Sequence, residues 1–265
     1  MIARSPDRKK GKIYMTQLNY IETINLLRND TLTNIVLLKH AAMLKENAEY
    51  KQIEELIGIK FQASQTSHDR ADYSNYDSIH ILSNNNPENI ATYLESLSYG
   101  CHIFKINGHV ANKEFELLRS FKSLTTQNCI LITITHNIIH ENNIETNEYE
   151  KLFKLIHYSI HDIKYMINNH SAIIFSIKDR NIPVVSCMVY QVFDNVWEIG
   201  ALSTLVEYRR NHFAEELVSC ATNYILEKKL TPRYHVFSEN IASLKLAEKC
   251  GYKPFLDFNH YKYVK

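Results

Sequence analysis

Apolar residues recur at helical spacing near the start of the chain. Leu18, Ile21, Ile24 and Leu27, then Leu32, Ile35 and Leu38, predict helix over residues 18–58, with Asp30 and Thr31 as break and cap between two segments. Short β-type runs follow at Ile59–Ala63 and Ser78–Leu82. Pro87 suits the first turn of a helix reaching about Leu97. Beyond it the pattern predicts a strand at His102–Ile106, a helix at Lys113–Phe121 and a strong strand at Cys129–Thr135. The polar, Asn-rich stretch His136–Glu148 is read as the loop between two halves. After it come helices at Tyr149–His157 and Ile160–Asn168, then strands at Ala172–Lys178 and Val184–Phe193 joined by the turn Asp179-Arg180-Asn181. A strand at Val196–Leu205, a helix at His212–Lys229, a strand at Tyr234–Ser238, a helix at Ile241–Cys250 and an aromatic strand or hairpin at Tyr252–Tyr263 complete the chain. Gly251 fits the position just past a helix end, where positive φ is needed. Hairpins flanked by helices predict an α/β chain of the α+β type, with a mixed, mainly antiparallel twisted sheet.

Composition narrows the class without choosing a function. The 265 residues are 45% hydrophobic and 22% charged, with six glycines and five prolines, as in a soluble globular protein without long low-complexity linkers. A net charge of +1 gives no whole-protein field to draw nucleic acid or an anionic membrane. The N-terminus differs: Arg4, Arg8, Lys9, Lys10 and Lys12 stand against Asp7 alone, so residues 1–15 are expected to be a flexible basic leader, with Met15 an alternative start. No window has the roughly 18–20 apolar residues that span a bilayer, and no apolar core of a signal peptide is present. Cys101, Cys129, Cys187, Cys220 and Cys250 are odd in number and scattered, which suits reduced thiols in the cytoplasm.

The chemistry concentrates in the C-terminal half. A β-like segment at Trp197–Thr204 leads through Glu207-Tyr208-Arg209-Arg210-Asn211-His212-Phe213-Ala214 into a helix. Strand, basic turn and helix N-terminus together can hold a phosphate, because the first helical N–H groups have no internal partner and the helix dipole favours an anion. Further on stand Asn240, Ser243, Leu246, Ala247, Lys249, Gly251 and Tyr252. These two stretches, at this separation and on these elements, resemble the GNAT superfamily of acyl-CoA-dependent N-acyltransferases. The family's Q/R-x-x-G-x-G/A loop corresponds to Arg209–Ala214, and its N-x-x-S-x-x-L-Y-x-K-x-G-F signature to Asn240–Tyr252. Leu230-Thr231-Pro232 and the wording of Asn240–Gly251 look most like the glycine-N-acyltransferase-like and zwittermicin-resistance-type branches, which carry a second, degenerate N-terminal half. The resemblance implies a GNAT acyl-CoA-binding catalytic domain at 128–265, preceded at 16–127 by an α/β domain that forms the acceptor side or a degenerate GNAT-like half.

The resemblance also places roles. The backbone of Leu202, Ser203 and Thr204 would pair with pantetheine amides as another strand would. The N–H groups of Arg210, Asn211, His212, Phe213 and Ala214 would hold the pyrophosphate, with Arg209 and Arg210 adding charge. Asn240 would contact the pantetheine arm, and Ser243 would lie near the thiol. Two positions depart from the family: His212 stands where glycine is usual, and Ala247 where many relatives have a proton-donating Tyr.

Acyl transfer to an amine needs a base, an oxyanion stabiliser and a proton for the leaving thiolate. The resemblance points to Glu198 as the candidate base, because a catalytic Glu stands eleven residues before the loop's first Arg in well-known members of the superfamily, and a carboxylate between Trp197 and Ile199 on a core strand needs a polar cleft or a partner. Ser243, Cys250, Tyr252 or a water would replace the missing Tyr as acid. The histidine pairs His136/His140 and His157/His161 lack an H-E-x-x-H frame or paired cysteines, so no metal is expected. No G-x-S-x-G elbow, Walker loop or G-x-G-x-x-G occurs. The expectation is a cytoplasmic N-acetyltransferase that takes acetyl-CoA or another acyl-CoA as cosubstrate and a small-molecule amine as acceptor. Neither nucleic acid nor membrane is an expected partner, and monomer and homodimer stay open. The alternatives are a GNAT-fold protein that binds CoA or a partner without chemistry, and a protein N-acetyltransferase.

Overall fold

The computed structural model describes residues 14–141, 146–155 and 160–265; residues 1–13 of the expected leader, 142–145 and 156–159 lie outside the described residues, whereas Met15, expected in the leader, pairs with Ile53 as the first residue of a strand. The chain forms two compact units that are interleaved along the sequence. One gathers the described residues up to Asn29 with His40–Leu118 and His260–Lys265; the other gathers Asp30–Lys39 and Arg119–Asn259.

The first unit contains β1 (Met15–Leu18), α1 (Tyr20–Leu27), β2 (Glu49–Ile53), β3 (Leu56–Phe61), α3 (Ser67–Tyr73), β4 (Ser78–Leu82), α4 (Pro87–Glu95) and β5 (Cys101–Asn107); α2 (Ile35–Leu44) falls across the division. β1, β2, β3 and β4 pair antiparallel in sequence order, and β4 then pairs parallel with β5 through the α4 crossover. Tyr93 of α4 is fully buried among Ile53, Leu56, Phe104 and Tyr261. Its ring lies where a Cβ on Gly58 would be, 2.4 Å from Cε2, so β3 needs glycine there.

The second unit repeats that order of elements. β7 (Ile138–Glu141) is followed by α5 (Thr146–Lys154) and α6 (Ile160–Asn168), then by the meander β8 (Ala172–Asp179), β9 (Ile182–Phe193) and β10 (Val196–Thr204). α7 (Phe213–Glu227) crosses to β11 (Thr231–Phe237), which pairs parallel with β10, and α8 (Ile241–Lys249) leads into β12 (Lys253–Val264). On its other side β11 pairs antiparallel with β6 (Phe115–Thr125). β9 is buried on both faces, which explains its nearly continuous apolar run. Val185, Cys187 and Val189 face Leu217, Val218, Ala221 and Ile225 of α7, whereas Met188 and Tyr190 face Tyr149, Leu152 and Ile163 of α5 and α6.

Local chemistry accounts for several boundaries. Arg180 and Asn181 both have positive φ, so two residues close the β8–β9 hairpin. α8 ends in a Schellman arrangement: Gly251 has φ +73°, its N–H bonds Glu248 O at 2.9 Å, and Tyr252 N–H bonds Ala247 O at 3.0 Å. Three expectations are corrected. Helix does not extend to residue 58, because Glu54 takes positive φ and Ile53 pairs with Leu56 in a tight β2–β3 hairpin. Lys113–Phe121 lies largely in β6: its exposed middle mimics an amphipathic helix, but pairing of Phe121–Thr125 with β11 decides for strand. Cys129–Thr135 takes no regular secondary structure, and β7 falls inside the expected loop instead.

Side chains of α7 replace the missing ladder. Asn223 accepts from Ile130 N–H at 2.8 Å and donates to Ile130 O at 2.9 Å. At the far end the buried Glu216 carboxylate accepts from Thr135 Oγ1 (2.5 Å), from the N–H groups of Thr135 and His136 (3.2 Å each), and lies 3.0 Å from His136 Nδ1. Burial pushes this carboxyl up, but the bonds from Thr135 and His136 outweigh it and hold Glu216 below the usual glutamate range. A depressed folded value adds stability above the unfolded pKa of about 4.3, and that stability fades as pH falls through the folded value. Glu216→Gln is therefore expected to lower the urea midpoint at pH 7, with the gap to wild type closing below about pH 4. A gap of the same size at pH 3 would show that the carboxylate charge is not what clamps the segment.

Candidate functional site

The site grows from an irregularity in β10. Glu198, Ile199 and Gly200 pair with Tyr190, Val189 and Met188 of β9, and Ser203 and Thr204 then pair with Ser186 and Val185. Ala201 and Leu202 therefore oppose Cys187 alone, a bulge in which Ala201 takes φ +51°. The parallel ladder to β11 is made by Val196–Ile199 against Thr231–Tyr234, and among the described residues it stops there. Both strands continue, β10 to Thr204 and β11 to Phe237. The stretch Leu202–Thr204, expected to pair with an amide chain, thus lies past the end of that ladder. One of its acceptors is taken, since Arg209 Nε donates to Thr204 O at 3.2 Å. The buried Ser203 hydroxyl has no hydrogen-bond partner.

After β10 the chain makes a short 3-10 turn at Val206–Tyr208, which Tyr208 anchors by donating to Asp179 Oδ2 at 2.7 Å. Arg209 is extended, Arg210 has φ +65°, and His212 has φ +61° and ψ 0° at the N-cap of α7. No side chain caps this helix. The N–H groups of its first turn are left for an external acceptor, and the exposed Arg209 and Arg210 precede them. His212 adopts the left-handed backbone that glycine would supply, and its ring turns away to Glu215 (Nδ1 to Oε2, 3.1 Å). The histidine leaves the helix terminus uncovered.

Glu198 is 7% exposed and sits in a polar network on the α5/α6 side of the sheet. Its Oε1 accepts from the Tyr190 hydroxyl and its Oε2 from Arg233 Nη1, the guanidinium of its ladder partner on β11. Arg233 Nη2 donates to Ser123 Oγ at 3.0 Å and to His235 Nδ1 at 2.9 Å, which fixes that nitrogen as an acceptor. Gly200 makes room for the network: a Cβ there would lie 3.1 Å from the Tyr190 ring. A carboxylate has about four lone-pair sites, so two bonds leave Glu198 able to accept another.

The expected acid candidates separate clearly. Asn240 spends Oδ1 on Ser243 N–H at 3.1 Å and so caps α8. Ser243 Oγ lies 2.8 Å from the Tyr234 hydroxyl. Burial raises the Tyr234 phenol to about 12, a shift the Ser243 bond partly opposes, so Tyr234 keeps its proton at neutral pH. Tyr252 is a core residue, bonded to Thr222 Oγ1 at 2.9 Å, and the Cys250 thiol is buried beside Ser219 with its pKa pushed up by burial. Ala247 is fully buried in the same core. Tyr190, Ser123, Arg233, Tyr234 and His235 had no place in the sequence reading. The alternation Arg233–His235 on an otherwise apolar strand was the available signal, of the same kind that singled out Glu198.

The histidine pairs do not assemble a centre: His136 serves Glu216 and His140 stacks on Phe175, while His157 and the side chain of His161 lie outside the described residues. Among the described residues no group of three or more His, Cys, Asp or Glu could hold a metal ion, and no helix is long and apolar enough to cross a membrane. All five cysteines are unpaired.

Residues 138–252 match the model of the Acetyltransferase (GNAT) family. No curated protein matches the chain. A GCN5-related N-acetyltransferase from Sphaerobacter thermophilus superposes with a TM-score of 0.59 at 8% identity, covering 98% of this chain and 96% of its own. One from Kribbella flavida gives 0.58 at 13% identity, over 88% and 95%. A tandem GNAT protein from the clavulanic acid biosynthesis pathway gives 0.51 at 5% identity, over 96% and 98%. At these identities the likeness is one of fold, and the fold is the GNAT fold. These matches do not single out the glycine-N-acyltransferase-like or zwittermicin-resistance-type branch.

The Glu198–Arg233 pair yields a stability test. Arg233→Met leaves a buried carboxylate without its cation, and the expected loss is about 3–5 kcal/mol in urea unfolding. Glu198→Leu combined with Arg233→Met is expected to cost much less than Arg233→Met alone. Equal losses in the single and double variants would show that the two side chains are energetically independent.

Proposed function

Taking the GNAT acetyltransferase match of residues 138–252 as premise, we propose that this protein is an acyl-CoA-dependent N-acyltransferase. In the simplest form it moves acetyl from acetyl-CoA to the primary amine of a small molecule by direct attack. The observation that carries the reading is the conjunction of an uncapped α7 N-terminus with the end of the β10–β11 ladder at Ile199/Tyr234. Bound acyl-CoA would supply an activated thioester. The N–H groups from Arg210 to Ala214, with the Arg209 and Arg210 guanidinium groups, would bind its pyrophosphate. Backbone groups of Leu202–Thr204 would align the pantetheine arm and polarise the thioester carbonyl.

Glu198 is the proposed base, taking the ammonium proton directly or through a water, while Arg233 and Tyr190 fix its orientation. Ser243, hydrogen-bonded to the still protonated Tyr234 phenol, would protonate the leaving thiolate in place of a Tyr at Ala247. The five unpaired cysteines suit a cytoplasmic setting. A second reading, a protein that holds acyl-CoA without chemistry, draws on the two bonds that engage Glu198 and on buried Ala247. A protein amine as acceptor is the remaining variant of the first.

Titration with acetyl-CoA is expected to raise the melting temperature, and Arg209→Ser with Arg210→Ser to reduce that rise. Glu198→Gln should keep the rise yet lower thiol release against an amine panel by about 100-fold or more. No thermal shift with any acyl-CoA would refute both readings. A shift without amine-dependent thiol release would leave only the binder.

A further inference from the structure

The first unit repeats the strand–crossover–parallel strand order of the second, but its helix terminus is built differently. Asn86 Oδ1 accepts from the N–H groups of Glu88 (3.0 Å) and Asn89 (3.2 Å), and Pro87 contributes no N–H. With those N–H groups taken up by its own cap, α4 offers an anion little. A cleft of about 960 Å³ nevertheless opens at this place, beyond the C-terminal ends of β4 and β5. That volume is in the range of small-molecule sites.

Three features of the cleft converge on one ligand chemistry. Its walls include the apolar faces of Ile90, Ala91, Leu94, Val110 and Tyr263. Its charged side chains are mostly acidic: Glu55, Glu95 and Glu114 line it against Lys265. That lysine is spent on the end of α4, where Nζ donates to the carbonyls of Leu94, Glu95 and Leu97 at 3.0, 3.0 and 2.7 Å. Finally, Asn89 lines the cleft at 3% exposure, and its Oδ1 has no hydrogen-bond partner. A buried acceptor of this kind is costly to leave unmade and calls for a donor. The cleft itself holds together without a ligand, since Asn85 Nδ2 donates to His109 O at 2.7 Å across its mouth.

We propose that this cleft binds a small primary monoamine with an apolar body. The ammonium donates to Asn89 Oδ1 in the field of the three glutamates, and the hydrocarbon part packs on α4 and Tyr263. The site is independent of the activity proposed for the second unit, and neither stands or falls with the other.

Calorimetric titration of the full chain, without acyl-CoA, tests the proposal with phenethylamine and n-hexylamine as probes and 3-phenylpropionate as the anionic control. Both amines are expected to bind and the carboxylate not to. Ala91→Trp fills the cleft from an exposed helix position and should abolish the binding. Asn89→Leu should weaken it by tenfold or more. Asn89 is a core position, so Ala91→Trp keeps the test valid if Asn89→Leu unfolds. Absence of amine binding, binding of 3-phenylpropionate as tight as that of the amines, or amine binding indifferent to Ala91→Trp would each overturn the assignment. Amine binding that survives Ala91→Trp and fails in Glu198→Gln would place the amine in the second unit only.

Discussion

Much of the second unit turns on a ladder that stops early. β10 and β11 share four paired positions, and the bulge at Ala201–Leu202 follows directly. A bulge leaves a residue without a ladder partner and turns the strand, and β10 runs on past its last rung with β11. Buried backbone groups are rarely left unpaired. An extended amide chain is the economical way to complete a strand that has lost its neighbour. The uncapped end of α7 lies eight residues past Thr204, and the connecting turn is stiffened by Arg209 on Thr204 and Tyr208 on Asp179. This irregularity and the helix terminus that follows it are the two features on which the proposed acyl-CoA site rests.

The Glu198–Arg233 pair sits on the last turns of that same ladder and gives it a chemical character. A lone carboxylate on a buried strand would be strongly unfavourable, and a lone guanidinium no less. Together they are tolerated because Tyr190, Ser123 and His235 take up further bonds on both groups. Buried ion pairs of this kind add little net stability, but breaking one side is costly. The net contribution of these five polar residues to folding is therefore small, although losing any one partner is costly.

How much of this was legible depended on whether a residue's partner was near in sequence. Elements with strong local signals were readable: Pro87 opening α4, Gly251 closing α8, and the Arg180–Asn181 hairpin. The conflict of Glu198 with Trp197 and Ile199 marked a position that the structure fills with a buried polar network, and the order of strand, turn and helix around Arg209–Ala214 is the order observed. β6 was misread because its exposed middle carries a helix-like pattern and its partner β11 lies more than 100 residues later. Cys129–Thr135 was misread for the opposite reason: its β-prone residues are held by Asn223 and Glu216, side chains no local pattern connects to them. Arg233, Tyr190 and Tyr234 became visible only when strand register brought each to its partner.

No sequence repeat marks the repeat of topology, which only the resemblance implied as a degenerate N-terminal half, and it allows a comparison that one domain could not. Each unit joins a meander strand to a parallel neighbour through a crossover helix, which places a helix N-terminus just past the first strand of the pair. In one, positive φ at Arg210 and His212 leaves that terminus open behind two arginines. In the other, Asn86 and Pro87 close it, and glutamates line the cleft. The fold supplies the position in both cases, and the two ligand proposals differ because the residues at the turn differ. A shared architecture therefore does not carry a shared ligand from one unit to the other; the sign of the site is written at the cap.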